Sequence, residues 1–322
     1  MTPKSVLVTG AAGFIGGNFI RIFRARYPKT RIVGIDNLSS RPRALPPKGI
    51  VFYRGSITDG RLVEKIFRKH KPEYVFHFGA VPRVSLSVQR PADTTLANIY
   101  GTVLLLEKSR DYKVKRFIFS SSSSVYGGAK ILPTKEKENP PRPVSPYALQ
   151  KYAGELFCSM FSKLYSLDTV SLRYFNVFGP GQYGDSPYST VISAWLEGLY
   201  FPKRGRRPFL EGDGKQSRDF CFVDNVGEAN VLAMEAPGRF NGDVFNIAHG
   251  ERTNLLAVKK TIERLTGRKL ALEYRPPRLG DVLNTHADIA KARKILGYGP
   301  KTNFEDGLGL TVEWFKQRVG DR

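Results

Sequence analysis

Acidic side chains are scarce in this chain: Asp and Glu number 29 against 51 Lys and Arg, a formal charge of +22 at neutral pH. Cysteine is scarcer still, with only Cys158 and Cys221, far apart and each among apolar neighbours. That usage excludes a disulfide framework and a thiolate metal cluster, and both residues are expected as small buried core side chains. The four histidines, His70, His77, His249 and His286, form no ligand-spaced group, so no metal site is expected. No apolar run approaches the roughly 20 residues of a membrane helix. The first strand-like run begins at Ser5, which leaves a signal peptide no room. A soluble, cytoplasmic chain with no membrane partner is the expectation.

The excess positive charge is spread along the whole chain, with short groups at Arg41 to Arg43 and Lys203 to Arg207 and no aromatic-interleaved basic domain standing apart. This distribution argues against a nucleic-acid partner and for a solvated basic surface, whose field favours polyanionic small ligands.

Strand-like runs alternate with helix-period segments over the first half: SVLVT, a helix from about Phe14, RIVGID, GIVFY, a helix from about Arg61, YVFHF, a helix from about Pro91, RFIFSS, a helix from about Pro146, and TVSLRYF. The alternation predicts an α/β fold, a Rossmann-type doubly wound parallel sheet with helices on both faces. After Asn176 a Gly/Pro-rich stretch, GPGQYGDSP, breaks the rhythm. A smaller mixed α/β substrate-binding domain over the carboxyl edge of the sheet is therefore expected. The expected boundaries are a cofactor domain over 1–176, rejoined by about 218–248, and a substrate domain over 177–217 and 249–322.

The first βα turn, VTGAAGFIGG, places Gly10, Gly13 and Gly16 at three-residue spacing between a strand and a helix. Such glycines let the chain turn tightly, let a pyrophosphate approach, and let helix pack on strand, while the helix N-terminus offers free amides. The second strand ends in Asp36, 20 residues beyond Gly16, where a carboxylate can accept from both hydroxyls of a ribose. Its charge also repels a 2'-phosphate, so NAD is expected over NADP, although Arg41 and Arg43 nearby keep NADP open.

The run SSSSSVYGG, Ser120 to Gly128, is composed like a linker, yet it directly continues the strand KVKRFIF. It is a strand end on the ligand-binding edge of a parallel sheet. Downstream, Ser145 and Pro146 have the chemistry of a helix cap and a first-turn proline, which puts Tyr147 and Lys151 one turn apart on one helix face. A cation there favours the phenolate and suits Tyr147 to act as a base.

Together, TGAAGFIG, the strand ending in IDN, FSSSSSVYG, PYALQK and LRYFNVFG resemble the extended short-chain dehydrogenase/reductase family over nearly the whole chain, and within it the UDP-hexose 4-epimerases. The resemblance implies Ser122, Tyr147 and Lys151 as catalytic residues acting with NAD on a UDP-sugar. It also implies cofactor contacts from Gly10, Gly13, Phe14, Ile15, Gly16, Asp36, Asn37, Ser56, Ile57, Phe78, Gly79, Asn98, Tyr147, Lys151 and Tyr174. Ser56 departs from the pattern, since relatives often carry an acidic residue there. Substrate contacts are implied for Ser124, Asn176, Thr190, Val191, Phe209, Arg218, Arg278, Asp281 and Thr285. An arginine fork suits a diphosphate because it delivers paired charge-assisted hydrogen bonds.

The family's dehydratases carry an Asp-Glu pair, and its decarboxylases a glutamate, just before VYG; Ser123 and Ser124 offer no acid there. The expected reaction is therefore 4-epimerisation through a transient 4-keto sugar. Small Thr285, together with VPR at Val81 to Arg83, resembles the epimerases that also admit N-acetylated sugars. The alternatives are a UDP-glucuronate 4-epimerase and a non-catalytic NAD-binding scaffold. Relatives commonly pair through the helix after Pro91 and the helix bearing Tyr147, so a homodimer is expected.

Overall fold

The computed structural model describes residues 2–39, 46–184, 189–203, 207–276 and 282–320. The chain opens on β1 (Ser5–Thr9), buried along its whole length, and turns directly into α1 (Phe14–Arg26). β2 (Arg31–Asp36) and β3 (Val51–Arg54) lead to α2 (Gly60–His70), whose start is fixed by the Asp59 carboxylate accepting from the N–H groups of Arg61 and Leu62. β4 (Tyr74–His77) is followed by α3 (Val84–Gln89), α4 (Pro91–Thr95) and α5 (Gly101–Asp111). β5 (Arg116–Ser122), α6 (Pro146–Tyr165) and β6 (Thr169–Tyr174) complete the first half. The serine run is thus a strand end, continued by a 3-10 turn at Ser123–Tyr126.

The second half contains β7 (Val177–Phe178), α7 (Val191–Tyr200), β8 (Phe209–Glu211), β9 (Ser217–Arg218), β10 (Cys221–Phe222) and α8 (Val223–Glu235). β11 (Asp243–Ile247), β12 (Thr253–Asn254), α9 (Leu255–Thr266), β13 (Glu273–Arg275), α10 (Ala290–Leu296) and α11 (Phe304–Gly320) close the chain.

Seven strands form one sheet in the order β11-β6-β5-β4-β1-β2-β3, with every pairing parallel. Helices cover both faces. α1, α8 and α10 pack Phe19, Phe23, Val226, Ala229 and Leu296 on one side, while α2, α5 and α6 pack Phe67, Leu105, Leu106 and Phe161 on the other. This is the doubly wound Rossmann arrangement expected from the sequence. Cys158 and Cys221 are both free and fully buried, as their apolar neighbours suggested. A further core forms between α7, α9 and α11, around Trp195, Leu196, Val258 and Phe315. No helix among the described residues is long and apolar enough to cross a membrane.

The helix expected from about Pro91 is less regular than its sequence suggests. α3 precedes it, and a π-helical turn, Leu96–Tyr100, joins α4 to α5. The extra residue of such a turn re-aims side chains, and here Asn98 lies buried in it against Val81.

Candidate active site

The strand order reverses at β1, which leads to β2 on one side while β4 lies on the other, so a crevice opens beyond their carboxyl ends. Gly10 and Gly79 close the bottom of it. A Cβ on Gly10, whose φ is +65°, would stand 2.9 Å from the Gly79 nitrogen, and one on Gly16 would stand 2.2 Å from the Gly10 carbonyl oxygen. Neither approach leaves room for a side chain, so the spacing in VTGAAGFIGG is a steric requirement of the turn. α1 starts at this floor with no side chain capping its N-terminus and no acid in its first turn, which leaves its amides for an anion.

Asp36 sits opposite. Its carboxylate accepts from the N–H groups of Ala12 at 3.0 Å and Leu38 at 2.7 Å, one on each oxygen. Each oxygen keeps a lone pair for a ribose hydroxyl. These groups border a cleft of about 360 Å³ whose walls include Phe14, Ile15, Asn37, Ser56, Ile57 and Phe78, with Thr190 at the far rim. The Ser56 hydroxyl is engaged with the Thr58 hydroxyl and N–H, so Ser56 meets the cleft as part of a small polar turn.

Below the floor a buried chain of hydrogen bonds fixes one proton order. The Thr102 hydroxyl donates to the Asn98 carbonyl at 2.7 Å and therefore accepts from His77 Nε2 at 2.9 Å. His77 Nδ1 is left to accept from the Thr9 hydroxyl at 2.7 Å, and Thr9 in turn accepts the Gly79 N–H at 2.9 Å. Burial pushes the His77 imidazole down to about 3, with the nearby Lys151 charge acting in the same direction. A neutral ring with a fixed tautomer is what the chain of donors requires.

The serines of β5 face different ways because the pleat alternates them. The Ser120 hydroxyl pairs with the Tyr174 phenol at 3.1 Å, on the side of α8. The Ser121 hydroxyl donates to Glu155 of α6, which also takes a two-pronged ion pair from Arg173 at 2.8 and 2.6 Å. Ser122, at the strand end, accepts the Ser124 N–H at 3.1 Å, and its hydroxyl acts on the Tyr147 phenol so as to favour the ionised form. The Ser124 hydroxyl is buried with no hydrogen-bond partner among the described residues.

Two side chains fasten the start of α6. Ser145 accepts the Ala148 N–H at 3.2 Å, and Ser87 of α3 accepts the Tyr147 N–H at 3.0 Å. Tyr147 and Lys151 are both buried, at 9% and 5% exposure. Burial raises the Tyr147 phenol to about 12 against the opposing influence of the Ser122 hydroxyl, and it lowers the Lys151 ammonium to about 8. Lys151 donates to the Ser120 carbonyl at 2.7 Å and lies over the Phe119 ring. The neighbouring cation does not by itself bring the phenol toward neutrality in this protein; desolvation outweighs it.

Two sequence-based cofactor residues have other work. The Tyr174 side chain lies in the core, with its phenol between Ser120 and Asn230. Asn98 binds both backbone polar groups of Val81 and donates to Gln150, so its side chain holds the cleft wall in place. The sequence signal for both was their position in family motifs, which does not tell side chain from backbone.

Asn176, which precedes the cleft-lining Val177, meets Thr285, with Asn176 Nδ2 donating to the Thr285 hydroxyl at 2.9 Å. Arg218 Nη1 binds the carbonyls of Ser217 and Leu283, both at 3.0 Å. Val191 packs at the edge of the second core, and the Arg275 guanidinium lies 4.0 Å over the Phe209 ring. Arg278 and Asp281, like Arg41 and Arg43, lie outside the described residues. The sequence reading passed over Asp219, whose carboxylate accepts from the N–H groups of His249, Gly250 and Ala287 and ties three segments together. Burial raises this carboxyl to about 6.

A turn fitted to a dinucleotide and a Ser-Tyr-Lys group beside it define a class, and comparison with known proteins agrees. Residues 6–248 match the model of the NAD dependent epimerase/dehydratase family. The chain is 35% identical over 320 residues to a UDP-glucose 4-epimerase of Mycolicibacterium smegmatis, covering 97% of this chain and 98% of that one. Its structure superposes on that of a Thermotoga maritima UDP-glucose 4-epimerase with UDP-glucose, with a TM-score of 0.91, 39% identity, and 98% and 99% of the two chains covered. It also superposes on a Methanobrevibacter ruminantium UDP-N-acetylglucosamine 4-epimerase in complex with UDP-N-acetylmuramic acid (TM-score 0.88, 34% identity, 99% and 100% covered). A third match is a Bacillus cereus UDP-glucuronic acid 4-epimerase with UDP-glucuronic acid and NAD (TM-score 0.86, 29% identity, 98% and 99% covered). The chain belongs to the NAD dependent epimerase/dehydratase family, and NAD is its cofactor.

Proposed function

We propose that the protein is an isomerase that interconverts UDP-hexoses at C4, acting on UDP-glucose and UDP-galactose and on their N-acetylated counterparts. The observation that carries the reading is the convergence of Ser122, Tyr147 and Lys151 at the carboxyl end of β5, next to a turn that fits a dinucleotide. Tyr147 takes the proton of the sugar 4-hydroxyl and later returns it; Ser122 hydrogen-bonds the same oxygen, and Lys151 holds the ribose next to the nicotinamide. The Gly10 turn, the N-terminus of α1 and Asp36 would hold NAD, which would supply the reversible hydride transfer at C4, so that no second substrate is consumed. Burial holds the Tyr147 phenol at about 12, so its service as a base in this reading requires positive charge to be brought beside it.

Residues 1–176 with about 218–248 serve the cofactor in this reading, and 177–217 with 249–322 serve the UDP-sugar. Asn176, Thr190, Val191, Phe209, Arg218 and Thr285 on that side, with Arg278 and Asp281, face the nucleotide and sugar. The small Thr285 leaves room for an acetamido group. Ser123 and Ser124 in place of acids speak against a dehydratase. UDP-glucuronate is the second reading, favoured by the hydroxyl-rich strand end and the likeness to the Bacillus cereus enzyme.

The apolar side chains left exposed on α6, Leu149, Leu156, Met160 and Leu164, recur on one helix face and continue onto Leu96 and Tyr100 of the π turn. They support a homodimer; a cytoplasmic location is part of the same proposal. The test of function is incubation of the purified protein with UDP-glucose, UDP-N-acetylglucosamine and UDP-glucuronate without added reductant. Formation of the C4 epimers is expected, and no interconversion of any of them would leave an NAD-binding scaffold.

A further inference from the structure

The polarity of the Asn176 side chain is fixed by its neighbours. Nδ2 donates to the Asp219 carbonyl at 3.0 Å and to the Thr285 hydroxyl at 2.9 Å. A carbonyl can only accept, so the amide cannot be turned over, and both of its hydrogens are committed. The Thr285 oxygen receives a second donor, the Asp219 N–H, at 3.2 Å. With its lone pairs occupied, Thr285 still has its own hydroxyl hydrogen to give. Among the described residues neither that hydrogen nor Asn176 Oδ1 has a partner. Asp219 itself cannot drift, because its carboxylate is held by the His249, Gly250 and Ala287 amides. Asn176 and Thr285 are both partly exposed, and the backbone that carries Asn176 continues into Val177 on the cleft wall.

We propose that Thr285 is a positioning residue: with the Asp219 backbone it commits both amide hydrogens of Asn176, so that the pair meets the sugar as one acceptor and one donor. A neutral hydroxyl answers both. An anionic oxygen answers only the donor and faces the Asn176 oxygen without a proton to place between them, so the pair selects a sugar hydroxyl over a carboxylate. Thr285 then contributes through its hydroxyl as well as through its small size. The inference rests on the UDP-hexose reading of this site.

The test compares wild type with Thr285→Val, which keeps the volume and loses the hydroxyl, and Thr285→Ser, which keeps the hydroxyl. Dissociation constants for UDP-glucose and UDP-glucuronate are measured by calorimetry on the NAD-loaded protein in a Tyr147→Phe background, where binding is read without turnover, and KM and kcat are measured with Tyr147 intact. Thr285→Val is expected to weaken UDP-glucose about tenfold and to shrink its advantage over UDP-glucuronate by a similar factor, mainly through KM. It frees one Asn176 hydrogen, whereas Thr285→Ser stays within about threefold of wild type. An unchanged preference in Thr285→Val, or a Thr285→Ser protein as impaired as Thr285→Val, overturns the proposal. If Thr285→Val does not fold, a structure of the wild-type protein with UDP-glucose decides: Asn176 Oδ1 within hydrogen-bond distance of a sugar hydroxyl supports it, and Nδ2 there overturns it. Binding with this selectivity but no epimerisation would sink the functional reading alone. Failure of both sugars to bind would sink both.

Discussion

The Lys151 ammonium donates to the carbonyl of Ser120, 31 residues earlier in the chain, at 2.7 Å. The bond ties α6 to β5 and sets the height of Tyr147 above the strand end. One ammonium hydrogen is used there, which leaves two others, and in the proposed mechanism these are the ones given to the ribose.

Tyr147→Phe removes only the phenol oxygen, the proposed site of proton transfer. The fold and bound NAD should persist while epimerisation falls by about a hundredfold or more, the usual contribution of a general acid-base group. Turnover within about threefold of wild type would remove Tyr147 from the chemistry.

Asp36→Ala deletes the carboxylate that the Ala12 and Leu38 amides orient. NAD should bind more weakly and discrimination against NADP should relax. Titration of the apoprotein with both cofactors measures the ratio, and an unchanged preference would show that Asp36 does not read the ribose.

His77 links stability to pH. Its folded value of about 3 lies below the unfolded value near 6.5, so its contribution is complete above pH 6.5 and is lost as pH falls toward 3. At pH 5 the loss is roughly 2 kcal/mol, from about 1.5 units at 1.36 kcal/mol each. Asp219, raised to about 6, acts with the opposite sign and regains roughly 1 kcal/mol over the same interval. The informative quantity is therefore the difference between wild type and His77→Gln in denaturant unfolding at pH 7 and pH 5. The variant should lose less stability on acidification; equal slopes would mean that His77 is not held neutral by burial.

Leu156 and Leu164 are 51% and 64% exposed on the same face of α6. Leu156→Lys with Leu164→Lys should dissociate a dimer while leaving the monomer folded, because neither side chain supports the core. Sedimentation of wild type and double variant checks this. A wild-type monomer, or a dimer indifferent to two added charges, would rule out this face.

Much of the cofactor side was legible in the sequence because its determinants are local. A glycine turn, the aspartate ending the next strand, and a tyrosine and lysine one turn apart depend on strand-turn-helix geometry that neighbouring residues dictate. The adjacent serines were told apart there only by alignment on VYG, which put the catalytic role on Ser122 and a substrate contact on Ser124. Ser120, Ser121, Ser122 and Ser124 became different residues only when β6 supplied Tyr174 to the first, α6 supplied Glu155 to the second and brought Tyr147 near the third, and the fourth was left without a partner among the described residues. Tyr174 and Asn98 were placed by motif, and packing alone decided that their side chains support the cleft from behind. Asn176 and Thr285 stand 109 residues apart, and no spacing rule spans that distance. The sequence by itself determined the sheet, the dinucleotide turn and the helix that sets Tyr147 one turn from Lys151. Tertiary structure decided which hydrogen each polar group has left to offer, because that depends on every neighbour the fold brings to it.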